Sequence, residues 1–168
     1  MKKVLRVIDA ISDRTGLIVG WLSFGLVLII SFETTLHVFH KSTLWEYETV
    51  GMMGATMYSL AFAYVMRHRL NVRVDVIYSH LSRRVQALVD TVGMLVAFFP
   101  VMGFATYSAI KKAHNAFVIN EKSAVTGWYP PAAPIRTIIA AGFVLLLLQG
   151  LVVFIREFYY LLRNKAYD

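Results

Sequence analysis

The sequence predicts an all-α integral membrane protein with four transmembrane helices and amphipathic interfacial helices at the N-terminus and between spans two and three. Three observations predict it. Hydrophobic residues make up 58% of the 168 positions and charged residues only 16%, against about 25% charged in a typical soluble chain. Too little polar side chain remains to coat a water-facing surface. Residues 15–32, 49–66, 91–110 and 137–155 contain no Asp, Glu, Lys or Arg. Each run has the roughly 17–25 residues that a helix rising about 1.5 Å per residue needs to cross a hydrocarbon core of about 30 Å. The charges between these runs are also unequally shared. With both termini in the cytoplasm, the inside holds Lys2, Lys3, Arg6, Arg14, Arg67, Arg69, Arg73, Arg83, Arg84, Arg156, Arg163 and Lys165. The outside holds only Lys41, Lys111, Lys112, Lys122 and Arg136, and the positive-inside rule selects this orientation.

The chain therefore reads as one four-span domain over residues 1–168, with spans at about 15–39, 48–66, 88–110 and 135–158. The first apolar run starts after Arg14 and lacks a small-x-small cleavage site, so it is expected to stay as an anchor. Before it, Val4, Ile8 and Ile11 recur at helical spacing among Lys2, Lys3, Arg6, Asp9 and Asp13, which fits a helix lying in the interface; a frayed basic tail is the plainer alternative. After span two, Asn71, Arg73 and Asp75 alternate with Val72, Val74 and Val76, a period of two that predicts an extended piece. Ile77, Leu81, Val85 and Leu88 then predict an interfacial helix leading into span three. The last connection, 111–136, carries Gly127, Pro130, Pro131 and Pro134, a proline density that excludes a regular helix and starts span four near Ile135. Trp21, Trp45, Trp128 and Tyr129, with Arg67, Arg73, Arg83 and Arg84, are the candidate membrane-interface anchors.

Net charge of +7 would point to nucleic acid in a soluble chain. Here the cations flank apolar spans, so they are assigned to anionic headgroups and no nucleic-acid partner is expected. Zero cysteines exclude disulfides, thiolate metal sites and a cysteine nucleophile. Glu33, His37 and His40 stand at i, i+4 and i+7 and would share a helix face, yet no fourth ligand completes a structural zinc site, and no metal is expected. No nucleophile stands beside a matched base, so neither a catalytic site nor a cofactor is expected.

Small residues carry more information. Gly51, Ala55, Ser59 and Ala63 repeat every fourth residue through span two, a groove that admits another helix. Gly93, Ala97, Ala105 and Ala109 form a similar line in span three, and Gly16 with Gly20 a short one in span one. These stripes pack either the chain's own helices or a partner's. With Glu48 and Gln149 added, the span-two residues are the candidate partner interface, Gln149 because an amide in hydrocarbon seeks a bond from another helix.

Leu44-Trp45-Glu46-Tyr47-Glu48 opening span two, Arg67-His68-Arg69-Leu70-Asn71-Val72-Arg73-Val74-Asp75-Val76 after it, Leu81-Ser82-Arg83-Arg84 before span three and Gly142 through Gln149 in span four are together similar to the small permease subunit, the DctQ-type component, of tripartite ATP-independent periplasmic (TRAP) transporters. The chain departs from that pattern at Leu36-His37-Val38, where members often carry Arg-Tyr, and at Asn71, where they often carry His. It departs again at Tyr47, which separates two acids that are usually adjacent. The resemblance implies a non-catalytic subunit in a bacterial cytoplasmic membrane that binds and stabilises a large multi-span permease as part of its scaffold. The large subunit takes up an organic anion using an ion gradient, usually sodium, and a periplasmic binding protein delivers that anion. Lys122, Trp128 and Tyr129 are candidate contacts for the binding protein. The rival readings are a small homo-oligomeric ion or proton channel around Glu33 and a redox anchor using His37 and His40.

Overall fold

A computed structural model describes residues 2–39, 43–70 and 80–163. Four helices in it are long and apolar enough to cross a membrane. Helix α1 is Lys2–Val38, α2 is Trp45–Arg67, α3 is Arg83–Val118 and α4 is Ala133–Arg163. The extended piece expected at 71–76 and the helix start at Ile77, with Asn71 and Arg73, lie outside the described residues.

Helix α4 is the hub: α2 packs along it, α3 covers its opposite side, and α1 packs on α2 while touching α4. The tightest interior is polar, since the largest fully buried side chains are Gln149, Glu157, Val152 and Ser12. This follows from the solvent. Lipid tails are as apolar as leucine, so burying an apolar side chain gains little, and helices join through close backbone approach and polar bonds. Gly142 is one such approach, because a Cβ there would stand 2.6 Å from the Ser59 carbonyl oxygen. Gly150 is another, since a Cβ there would run into the Phe98 ring.

The helices run past the segments read from the sequence. The N-terminal segment forms the opening turns of α1, continuous with the helix of span one. It turns Leu5, Asp9 and Ser12 inward and leaves Val4, Val7 and Ile11 exposed, because its buried face is chosen by hydrogen-bonding partners on α4. Helix α3 extends past the expected span 88–110 at both ends, from Arg83 to Val118. The final connection accordingly shortens to 119–132.

Helix α3 widens to a π-turn over Met94–Phe98, just before Pro100. A proline in a helix cannot donate to, and clashes with, the carbonyl four residues earlier, here Val96. The wider turn makes that room. The helix then ends with Asn120 at φ 47°, Glu121 N–H donating to Ala116 C=O at 3.0 Å. This is the Schellman closure, in which Asn is one of the few residues that tolerate the left-handed position.

Candidate functional site

The polar groups gather at the two ends of the bundle. At the end holding the termini, Asp9 accepts from Gln149 Nε2 at 3.0 Å and from Arg156 Nη2 at 2.6 Å, and Arg67 Nη1 lies 3.2 Å from the same carboxylate. Ser12 Oγ donates to Gln149 Oε1 at 2.8 Å. Arg67 Nε also pairs with Asp13 at 2.7 Å, and His68 Nε2 lies 3.0 Å from Asp13 Oδ1. One network thus joins α1, α2 and α4. Beside it Glu157, 1% exposed, pairs with Arg69 and, at 2.9 Å, with Arg83. Arg83 also stacks 4.8 Å over the Tyr160 ring. A buried carboxylate is costly unless paired and hydrogen-bonded, and each of these two acids draws two arginines from other elements.

At the opposite end two carboxylates each clasp a threonine. Glu33 accepts from Thr43 N–H at 2.7 Å and from Thr43 Oγ1 at 2.9 Å. Glu48 accepts from Thr126 N–H at 2.8 Å and Thr126 Oγ1 at 2.5 Å. Glu33 therefore ties the α1–α2 turn to α1, and Glu48 ties the 119–132 connection to α2. That connection is further closed by the Glu121–Arg136 pair, by Ser123 N–H to Pro130 C=O at 2.8 Å, and by Ala132 N–H to Glu121 C=O at 2.8 Å. Trp128 and Tyr129 stand exposed on it, with Tyr129 in the left-handed region at φ 51°.

These contacts sort the sequence-predicted residues. Gln149 is bonded to another helix, as an amide in hydrocarbon requires, and that helix is α1 of the same chain. Ser59 and Ala63 are buried, Ser59 against Gly142. Gly51, by contrast, would meet nothing within 4 Å if given a Cβ, and Ala55 lines an open groove. The span-two stripe is thus half internal and half available. Glu48 is buried in its clasp. Among the anchors, Arg67 and Arg83 are drawn into ion pairs, Arg84 is exposed, and Trp45 opens α2. Trp21 is 78% exposed but stands seven residues beyond Arg14, about 10 Å further along the helix. Lys122 is exposed at the loop end beside Trp128 and Tyr129.

Glu33 and His37 come within 3.7 Å, while His40 lies outside the described residues. No group of three potential metal ligands occurs among the described residues. Sequence reasoning missed Asp9, Ser12 and Glu157 as structural centres. Their signal was present: each lies at helical reach of an apolar span with an excess of arginine at the same end.

The segment from mid-α1 to the last turns of α4, residues 26–159, matches the family model described as "Tripartite ATP-independent periplasmic transporters, DctQ component". The chain belongs to the DctQ family. No curated protein and no solved structure matches it. The DctQ match takes in Glu33, Glu48, Arg67, Gln149 and Glu157, and leaves Asp9 and Ser12 outside. This DctQ chain is accordingly a component of a transporter that works with other subunits, and its four spanning-capable helices make it a multi-pass membrane protein.

Proposed function

We propose that this chain is the small, non-catalytic membrane subunit of a TRAP-type secondary transporter of a bacterial cytoplasmic membrane. It binds and stabilises the large multi-span permease subunit as part of a static scaffold. The large subunit imports an organic anion, delivered by a periplasmic binding protein, using an ion gradient, most simply sodium. The observation that carries this reading is the DctQ match across residues 26–159. Two features support it physically. Ion pairs of Asp9 with Arg67 and Arg156, and of Glu157 with Arg83, join α1, α2, α3 and α4 near one end of the bundle, which suits an element that holds still while another moves. Glu33, on which a channel reading rests, has both oxygens occupied by Thr43, so it does not offer a free carboxylate to a pore.

The test is purification in mild detergent of the tagged chain expressed from its own operon, followed by mass spectrometry of what stays bound. A larger multi-span protein in fixed stoichiometry is the expected result. A homo-oligomer that passes ions in liposomes with no second protein would overturn the proposal.

A further inference from the structure

Toward the loop end, α3 and α4 leave between them a groove of about 550 Å³ whose head carries two cations, Lys112 and Arg136. Lys112 comes two residues after the charge-free run 91–110, and Arg136 immediately precedes the charge-free run 137–155. Both therefore stand where hydrocarbon gives way to headgroups. From that level Phe104 lies eight residues down α3 and Phe143 seven residues down α4, so the groove reaches about 10–12 Å into the bilayer. Ala105 and Ala109 line it from α3 and Ile139 from α4. These alanines end the small-residue line of span three, and α4 does not fill the space they leave. Below the cations Ser108 is the one lining side chain that can hydrogen-bond, which suits a hydrocarbon chain.

The two cations are unequally engaged. Arg136 pairs with Glu121 through Nη2, yet 34% of its side chain stays exposed. A guanidinium has five N–H donors in a planar fork, so it can hold Glu121 and still donate to a second anion. Lys112 is exposed and forms no ion pair among the described residues. One carboxylate thus stands against two cations, and the head of the groove keeps a positive excess. From this charge complementarity above an apolar wall we infer that the groove seats one anionic phospholipid. Its phosphate accepts from Lys112 and Arg136, and an acyl chain lies along Ala105, Ala109, Ile139 and Phe143. A choline or ethanolamine headgroup carries its own cation, which offsets the attraction of its phosphate to Lys112. This inference does not depend on which permease the chain serves.

The test uses the full chain with whatever accompanies it, reconstituted in nanodiscs of equal phosphatidylglycerol, phosphatidylethanolamine and phosphatidylcholine. Retained lipid is then counted by native mass spectrometry. One phosphatidylglycerol per chain is expected, held about fivefold over either zwitterionic lipid, the ratio that one lysine or arginine facing an anionic lipid supplies. Lys112→Glu, at an exposed position outside the core, should erase that preference and leave the thermal unfolding midpoint in detergent unchanged. Ala109→Leu, which fills the groove, should remove the retained lipid altogether. If that variant fails to fold, Lys112→Glu still decides. Equal retention of the three lipids, or a preference untouched by Lys112→Glu, would overturn the inference. So would a photo-crosslinker at position 105 that captures a protein side chain in place of lipid, since the groove would then belong to a partner helix.

Discussion

At Gly142 a single hydrogen atom sets how close two helices come. A methyl group there would stand 2.6 Å from the Ser59 carbonyl oxygen and 2.7 Å from its carbon, and backbone cannot swing aside as a flexible side chain does. Gly142→Ala should therefore part α2 from α4 and cost about 1–3 kcal/mol, the range for overpacking a filled core. Gly51→Ala, facing open space, should cost nothing measurable, so thermal melts of the two variants in one detergent separate contact from mere loss of glycine. Equal midpoints would contradict the close approach. Gln149 sets a second test. Hydrogen bonds between membrane helices average only about 0.6 kcal/mol, yet Gln149→Leu also orphans the Ser12 hydroxyl and takes one donor from the Asp9 carboxylate, and leaving buried polar groups unpaired costs about 1–3 kcal/mol. The larger figure is expected to win. Combined with Ser12→Ala, it should lose less than the sum of the two single losses, since both remove one bond; additive losses would show that the pair does not act together.

Helix α3 shows how much of an element the sequence carries. Its charge-free run 91–110 fixes that a helix crosses there, because a continuous apolar run of that length satisfies its backbone in lipid only as a helix, a barrel strand being shorter and alternating. Its ends are less visible. Lys111 and Lys112 end the apolar run but do not end a helix, which continues until Asn120 takes the left-handed turn. The π-turn ahead of Pro100 lies on Gly150 and is not read from the sequence, since the apolar run alone does not show where its helix widens. The same holds for α1. Its amphipathic pattern names Val4, Ile8 and Ile11 as the face turned to the membrane, and does not name the opposite, polar contact, where Asp9 is buried against Arg156. In the candidate site the small-residue stripe was legible, but not that α4 already fills the half at Ser59. At the start of α3, Glu157 is the tie through Arg83. Glu157→Gln removes the charge that two arginines share, so backbone amides of 83–90 should exchange with deuterium several-fold faster, while those of 143–150 keep their protection. Unchanged exchange at 83–90 would mean that helix packing alone holds the start of α3.

Across the whole molecule, ion pairs bind the helices at one end and carboxylate–threonine clasps bind the turns at the other, with a charge-free belt between. That layout fixes which groups share a side even before the side is known: Asp9, Arg67 and Arg156 are together, and Glu33, Glu48 and Arg136 belong to the opposite end. The count of lysine and arginine predicts that the first group faces the cytoplasm. Because the chain contains no cysteine, the assignment can be measured without first stripping native thiols. Single cysteines replacing exposed Lys122 and Val125 should react with a membrane-impermeant maleimide in intact cells. Cysteines replacing exposed Arg6 and Arg84 should react only after permeabilisation. Labelling of all four in intact cells would place α1 and the start of α3 outside the membrane barrier, and the inverted pattern would place Trp128 and Tyr129 in the cytoplasm, where no periplasmic protein could reach them. The expected pattern leaves the Trp128–Tyr129 loop, together with exposed Phe39 and Leu44 of the α1–α2 turn, on the side open to a periplasmic partner.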